Sequence, residues 1–152
     1  LVAATERGIC AVELGEDEAM LEQRLREEFP RANLQRVDAG NDDFLAPRLR
    51  AVAERLSGHD SEVPVDLVGT AFQKRVWDAL MKIPVGQTRS YAELADALGA
   101  PKAARAVASA CASNRIAVVV PCHRIIRGDG SLGGYRWGLP IKQALLERER
   151  AA

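Results

Sequence analysis

Ser90-Tyr91-Ala92-Glu93-Leu94-Ala95-Asp96-Ala97-Leu98-Gly99-Ala100-Pro101-Lys102-Ala103-Ala104-Arg105-Ala106-Val107-Ala108-Ser109-Ala110-Cys111-Ala112-Ser113 reads as two helices joined by a tight turn. Ser90 followed three residues later by Glu93 is a capping box, in which each side chain satisfies a backbone N–H that the first helical turn leaves without a partner. A short helix is therefore predicted from Tyr91 to Leu98. Gly99-Ala100-Pro101 breaks it, and the alanine-rich stretch from Lys102 to Ser113 predicts a second helix. Two helices with a short Gly-containing turn describe a helix-turn-helix, which enters DNA grooves in some proteins and packs into ordinary cores in others. The small residues Ala103, Ala104, Ala106, Ala108 and Ala110 would allow a close approach to a groove, and would equally suit packing against another helix.

Upstream, Thr70 is a plausible N-cap for a helix over Phe72 to Lys82, with Phe72, Val76, Trp77 and Leu80 on one face and Ile83-Pro84 as its stop. Downstream, the apolar, β-branched run Ile116 to Val120 predicts a short buried strand, and a closing helix is predicted over Ile141 to Arg150. At the other end, Leu1 to Leu14 alternates weakly about Glu6-Arg7-Gly8, as a β-hairpin would. Asp17 to Phe29 places apolar residues at helical spacing, opens on acids and stops at Pro30, predicting a helix. A short strand is expected at Leu34 to Val37 and a helix over Phe44 to Leu56. Val63 to Val68, interrupted by Pro64, is expected at a sheet edge or leaving it. The fold class predicted is α+β: a small hairpin-plus-helix subdomain over residues 1–65, then a mostly helical domain with the helix-turn-helix over 66–152.

At 152 residues and 47% hydrophobic, the chain can bury a core without metals or disulfides. The run Ile116 to Val120 is far shorter than the ~20 apolar residues a membrane span needs, and no signal segment opens the chain, so a cytoplasmic location with no membrane partner is expected. The three cysteines, Cys10, Cys111 and Cys122, are odd in number and lack C-x-x-C spacing, which suits a reducing compartment. The start at Leu1 suggests a piece of something longer. The formal net charge of zero argues against nucleic acid when taken alone. It hides a split: residues 1–65 carry 8 Lys/Arg against 14 Asp/Glu, and residues 66–152 carry 13 against 7. Only the second half is therefore expected to face a polyanion. The absence of conspicuous exposed apolar patterning makes a monomer the expectation.

Pro121-Cys122-His123-Arg124 follows the apolar run directly. A cysteine attacks as the thiolate, so it needs a base or positive charge to bring its pKa down from about 8.5. His123, one of only two histidines, is the candidate base. Neighbouring side chains on extended backbone point apart, so a water or a tight turn has to connect the pair unless they touch. Glu147 and Glu149 on the closing helix are the acids placed to orient the imidazole. Cys10, His59 and Cys111 are scattered without ligand spacing, so no metal is expected.

These residues resemble a known family. Pro121-Cys122-His123-Arg124, with Gly128-Asp129-Gly130 and Gly133-Gly134-Tyr135-Arg136-Trp137-Gly138, is similar to the active-site signature of the O6-alkylguanine-DNA alkyltransferases. The likeness runs upstream through Gly69-Thr70-Ala71-Phe72-Gln73, Ile83-Pro84-Val85-Gly86-Gln87-Thr88, Ser90-Tyr91 and Pro101-Lys102-Ala103-Ala104-Arg105-Ala106-Val107, and covers essentially all of 66–152. Within the family it is nearest the C-terminal domain of the bacterial adaptive-response members, and residues 1–65 look like the acidic subdomain that precedes it there. The resemblance implies a single, irreversible transfer of a methyl or other alkyl group from O6 of guanine, with O4 of thymine as a second source, in double-stranded DNA. Cys122 would be the acceptor, with no cofactor. His123 would draw off the thiol proton through a bridging water, oriented by Glu149. Tyr91 would protonate or hydrogen-bond N3 of the departing guanine. Arg105 would fill the stack left by a flipped nucleotide, with Ala104 and the rest of its helix in the minor groove. Asn114 would tie that helix to the active-site loop, and Tyr135 would wall the base pocket.

Where this chain has Arg136 and Trp137, relatives that accept benzyl groups have small residues, which implies a narrowed pocket and a preference for methyl over benzyl. Two other readings use the same residues: a helix-turn-helix DNA-binding module without chemistry, and a Cys-His hydrolase that turns over repeatedly.

Overall fold

The computed structural model describes the backbone of residues 1–152 and every side chain except that of Ala39. The fold is α+β, as predicted: six α-helices and two small two-stranded sheets among the described residues. β1 (Val2–Thr5) and β2 (Gly8–Val12) form the expected antiparallel hairpin, with Val2 opposite Val12 and Thr5 opposite Gly8. Gly8 has φ +152°, and a Cβ there would lie 2.5 Å from the Pro64 carbonyl oxygen, so only glycine lets the two segments meet so closely. α1 (Glu18–Glu28) starts where Asp17 accepts hydrogen bonds from the Ala19 and Met20 amides, and it buries Leu21 and Leu25. α2 (Leu45–Leu56) buries Ala51 and Val52.

No strand forms at Leu34 to Val37, contrary to expectation. A strand needs a partner edge, the outer edge of β2 is already used, and this stretch does not pair with β1 either. Ile9 donates to the Pro64 carbonyl and accepts from the Asp66 amide, while the Val12 amide donates to the Arg115 carbonyl. The Val63 to Val68 stretch thus contributes one parallel bridge, Val65 to Ile9, and then leaves the sheet.

α3 (Ala71–Met81) is capped by Thr70, and Gln73 completes a capping box. α4 (Tyr91–Ala97) opens with the predicted box: the Glu93 amide donates to Ser90 Oγ at 3.1 Å and the Ser90 amide to Glu93 Oε2 at 2.7 Å. α5 (Ala104–Ala112) begins two residues later than predicted, because Pro101 and Lys102 are spent in the turn and Ala103 offers no capping side chain. α3 and α4 both pack on α5, and Trp77 Nε1 donates to the Ala110 carbonyl at 2.9 Å. α6 (Leu139–Ala151) carries Pro140 in its first turn, where a missing N–H costs nothing.

The largest departure from expectation is Ile116 to Val120. Every residue of the run is buried, yet only Ile116 bridges to the hairpin, at Val12, and the rest coils into tight turns. The Val119 amide donates to the Ala117 carbonyl at 2.7 Å and Val120 to Ile116 at 3.1 Å, with Val118 at φ +59°. That backbone conformation is strained for a β-branched residue, by about 1–3 kcal/mol. The run is apolar because it crosses the middle of the core, which draws together Ile9, Val12 and Val52 from the first half with Val76, Leu80 and Val107 from the second. β3 (Arg89–Ser90) and β4 (Ile125–Ile126), a parallel pair that the sequence did not announce, tie the start of α4 to the segment after Cys122. Among the described residues no helix is long and apolar enough to cross a membrane.

Candidate active site

Cys122 opens a short 3-10 turn, Cys122–Arg124, immediately after the coiled apolar run. The turn makes consecutive side chains diverge. Cys122 faces a cavity of about 870 Å³ whose lining includes Tyr91, Ala104, Arg105, Cys111, Tyr135 and Arg136. His123 does not line that cavity and is 1% exposed.

Asn114, at the end of α5, holds the loop that presents the thiol. Its Oδ1 accepts from the Ile116 amide at 2.9 Å, and its Nδ2 donates to the Val120 carbonyl at 2.9 Å and to Cys122 Sγ at 3.2 Å. The last bond reaches beyond the helix-to-loop tie expected of this residue. Burial pushes the Cys122 thiol up to about 11, against the opposing pull of the Asn114 hydrogen bond and the more distant Lys142 charge. The thiol is therefore protonated at pH 7, and a nucleophilic step from this site needs a base.

His123 Nε2 lies 2.6 Å from Glu149 Oε1, so of the two acids weighed from the sequence it is Glu149 that meets the imidazole, while Glu147 pairs with Gln143 on the surface of α6. Arg124, 3% exposed, donates from Nε and Nη2 to the same carboxylate and from Nη1 to the Ile83 carbonyl at 2.6 Å. Burial would raise the Glu149 carboxyl, but the hydrogen bonds from His123 and Arg124 reverse this and hold it to about 2, so it is ionised. His123 moves down from its usual value, because burial outweighs the attraction of Glu149, so it is neutral at pH 7. An ionised carboxylate can only accept, which places the imidazole proton on Nε2 and leaves Nδ1 with a free lone pair. That atom is buried and has no protein partner. The imidazole is thus able to accept one proton at Nδ1.

The other expected site residues surround the cavity. Tyr91 stands at the first turn of α4, its hydroxyl held up by burial, and an added Cβ on Gly133 would lie 3.0 Å from that hydroxyl oxygen. Gly133, at φ +68°, therefore lets the loop pass over the tyrosine. Arg105 and Ala104 project from the start of α5, with Arg105 exposed at the cavity mouth. Tyr135 packs edge-on against Trp137 at 5.2 Å between centroids, and its hydroxyl is buried. Trp137 itself does not line the cavity, which corrects half of the expected narrowing: its indole is buried and donates to Glu13 Oε2 at 2.9 Å. Arg136 does line it.

Two positions that the sequence reading did not single out also support the site. Arg124 sits inside the quoted motif, but nothing local says that it is buried. Lys142 is 0% exposed and donates from Nζ to the carbonyls of Ile125, Leu132 and Gly134, clasping the 125–134 loop to α6. It shares a helical face with Leu145 and Glu149 at spacings of 3 and 4 residues, a signal that could have marked it as inward-facing. Among the described residues no group of three or more His, Cys, Asp or Glu side chains could hold a metal ion.

Comparison with known proteins meets this geometry. Residues 71–151 match the family described as 6-O-methylguanine DNA methyltransferase, DNA binding domain. The chain is 51% identical over 151 residues to the bifunctional transcriptional activator/DNA repair enzyme Ada of Escherichia coli, covering 98% of this chain and 42% of that protein. It is 57% identical over 90 residues to the methylated-DNA–protein-cysteine methyltransferase of Mycobacterium tuberculosis, covering 59% of this chain and 54% of that one. The chain thus spans about half the length of these relatives. The crystal structure of Mycobacterium tuberculosis OGT in complex with DNA superposes with a TM-score of 0.67 at 48% identity, covering 70% of this chain and 66% of that one. With the matched region running from α3 through the cysteine and its buried His-Glu pair to the end of α6, the chain belongs to the 6-O-methylguanine DNA methyltransferase family.

Proposed function

We propose that this chain repairs double-stranded DNA by a single irreversible transfer, taking a methyl or other alkyl group from O6 of guanine, and from O4 of thymine, onto Cys122. The observation that carries the reading is a buried thiol opening on an 870 Å³ cavity, backed by a neutral histidine that an ionised buried glutamate orients. In the transfer, the Cys122 proton passes through a bridging water to His123 Nδ1. Sulfur then attacks the carbon attached to O6. The carbon–oxygen bond breaks, its electron pair stays with guanine, and Tyr91 supplies a hydrogen bond or proton at N3 of that leaving group. A general acid of this kind is worth about 10²–10⁴ in rate. The product is a neutral thioether, which no group in the site can cleave, so each chain acts once. No cofactor takes part.

A guanine O6 substituent inside a duplex is shielded, so the nucleotide must leave the stack at a cost of a few kcal/mol. In this reading Arg105, which lines the cavity, enters the vacated position, and the small residues about Ala104 allow α5 to lie in the minor groove. Tyr135 walls the pocket for the extruded base. In this division of labour, residues 66–152 carry DNA binding and transfer, and residues 1–65 are scaffold. The chain works as a monomer in the cytoplasm, with DNA and no membrane as its partner. The DNA complex of the Mycobacterium tuberculosis relative supports the assignment of DNA as partner.

The test is intact mass after incubation with excess duplex containing O6-methylguanine, followed by peptide mapping. One added methyl per chain, on Cys122, is expected. Binding without mass change would point to a non-catalytic DNA reader, and continued release of product without a modified protein would point to a hydrolase.

A further inference from the structure

Glu28 is the last residue of α1, where the helix dipole is negative and a carboxylate is disfavoured. Its position is explained by what it holds across the molecule. It forms an ion pair with Arg136 Nη2, a partner 108 residues away in the chain, and another with Arg115 Nε at 2.7 Å. The guanidinium of Arg115 lies over the Phe29 ring, 5.4 Å from its centroid, which fastens the end of α1 to the segment just after Asn114. Arg136 is also within 3.5 Å of the buried carboxylate of Glu13 and donates from Nη1 to the Asn114 carbonyl at 3.3 Å. Asn114 is the residue whose amide touches Cys122 Sγ, and Arg136 is part of the cavity wall. A carboxylate from the first half of the chain therefore sets where a long cationic side chain stands in a pocket built by the second half.

We propose that Glu28 is a specificity-determining positioning residue, which holds Arg136 against the cavity wall and so limits the size of the alkyl group that reaches Cys122. The proposal rests on the alkyl-transfer reading above. With Glu28 in place, Arg136 is pinned between Glu28, Glu13 and the Asn114 carbonyl and cannot swing away from a bulky adduct. With Glu28 neutral, Arg136 keeps its weaker 3.5 Å contact to Glu13 and gains freedom to move outward. A methyl group needs little of this space and a benzyl group needs much of it.

The experiment compares Glu28→Gln with the unaltered chain in single-turnover transfer from duplexes bearing O6-methylguanine or O6-benzylguanine, read as S-alkylation of Cys122 by mass. For a charge-assisted pair that is partly exposed, the benzyl-to-methyl rate ratio is expected to rise about fivefold to tenfold, with the methyl rate within about twofold of the unaltered chain. Arg136→Met should raise the ratio independently, and the double variant should give no more than the larger single effect, since both changes release one contact. A melting temperature lowered with both rates reduced in proportion, or single effects that simply multiply, would overturn the proposal, because a merely structural ion pair cannot alter a ratio. Should the unaltered chain acquire no methyl at all, the transfer reading fails. An unchanged ratio in a chain that does transfer methyl refutes only the role of Glu28.

Discussion

Exchanging Glu149 for Gln removes one negative charge while preserving shape, and the structure fixes what that should do. The carboxylate accepts from His123 Nε2 and from two nitrogens of Arg124, all three side chains being almost completely buried. The Gln carbonyl can replace one of these acceptors, but Arg124 then keeps a buried positive charge with no counter-ion. Breaking a buried pair in this way costs about 3–5 kcal/mol, which is a large share of the ~5–15 kcal/mol that holds a domain folded. For a chain of this size that is a melting point lower by roughly 6–20 °C. The pH dependence has a definite sign. Because the folded carboxyl is depressed from 4.5 to about 2, its contribution is complete above pH 4.5 and is lost as the pH falls from there towards 2. The gap in melting temperature between the two proteins should therefore be constant above pH 5 and close on acidification. The amide would also cease to dictate the imidazole tautomer, and transfer from O6-methylguanine should slow by about 10²–10⁴. Calorimetry across pH and quenched-flow mass analysis measure the two effects. A Glu149→Gln protein that melts within 2 °C or so of the original and transfers at the same rate would refute the buried-pair account.

Other outcomes follow from single contacts. Asn114→Ala removes the hydrogen bond to Cys122 Sγ, so the thiol should move further up and the pH–rate profile for alkylation by a small thiol reagent should shift to higher pH. It also leaves the Val120 carbonyl and Ile116 amide without their side-chain partner, at about 1–3 kcal/mol in denaturant titration. Because burial lowers His123 from its ordinary value, the acid limb of the transfer-rate profile should lie at lower pH than a free imidazole would give; an acid limb displaced to higher pH would contradict this. Ser90→Ala breaks the capping box of α4 and should cost about 1 kcal/mol by thermal melting. Arg105→Ala, at an exposed site, should leave stability unchanged while slowing transfer from duplex far more than transfer from the free alkylated base.

The helices were legible in the sequence because their determinants are local. Ser90 with Glu93, Asp17 before Glu18, and the stripe through Val76, Trp77 and Leu80 each need only a few neighbouring residues to be read. The candidate site was legible for a different reason. Pro121-Cys122-His123-Arg124 and its flanking glycines form a pattern that a resemblance can match, and the structure gathers Tyr91, Ala104, Arg105, Cys122 and Tyr135 around one cavity with the His123–Glu149 pair behind it. What local pattern left unsettled is conformation under tertiary constraint. Ile116 to Val120 has the composition of a strand, but the β2 edge has room for one bridge there, and Asn114 folds the remainder into turns. The side chains of Arg124, Lys142, Glu13 and Glu28 read as surface charges until the fold supplies their partners. Trp137 reaches Glu13 across 124 residues and Arg136 reaches Glu28 across 108. Spacing along a chain records which face of a helix is buried, because that face repeats; it carries no record of a pairing made once between distant segments, and such pairings exist only when the two halves of the core close on each other.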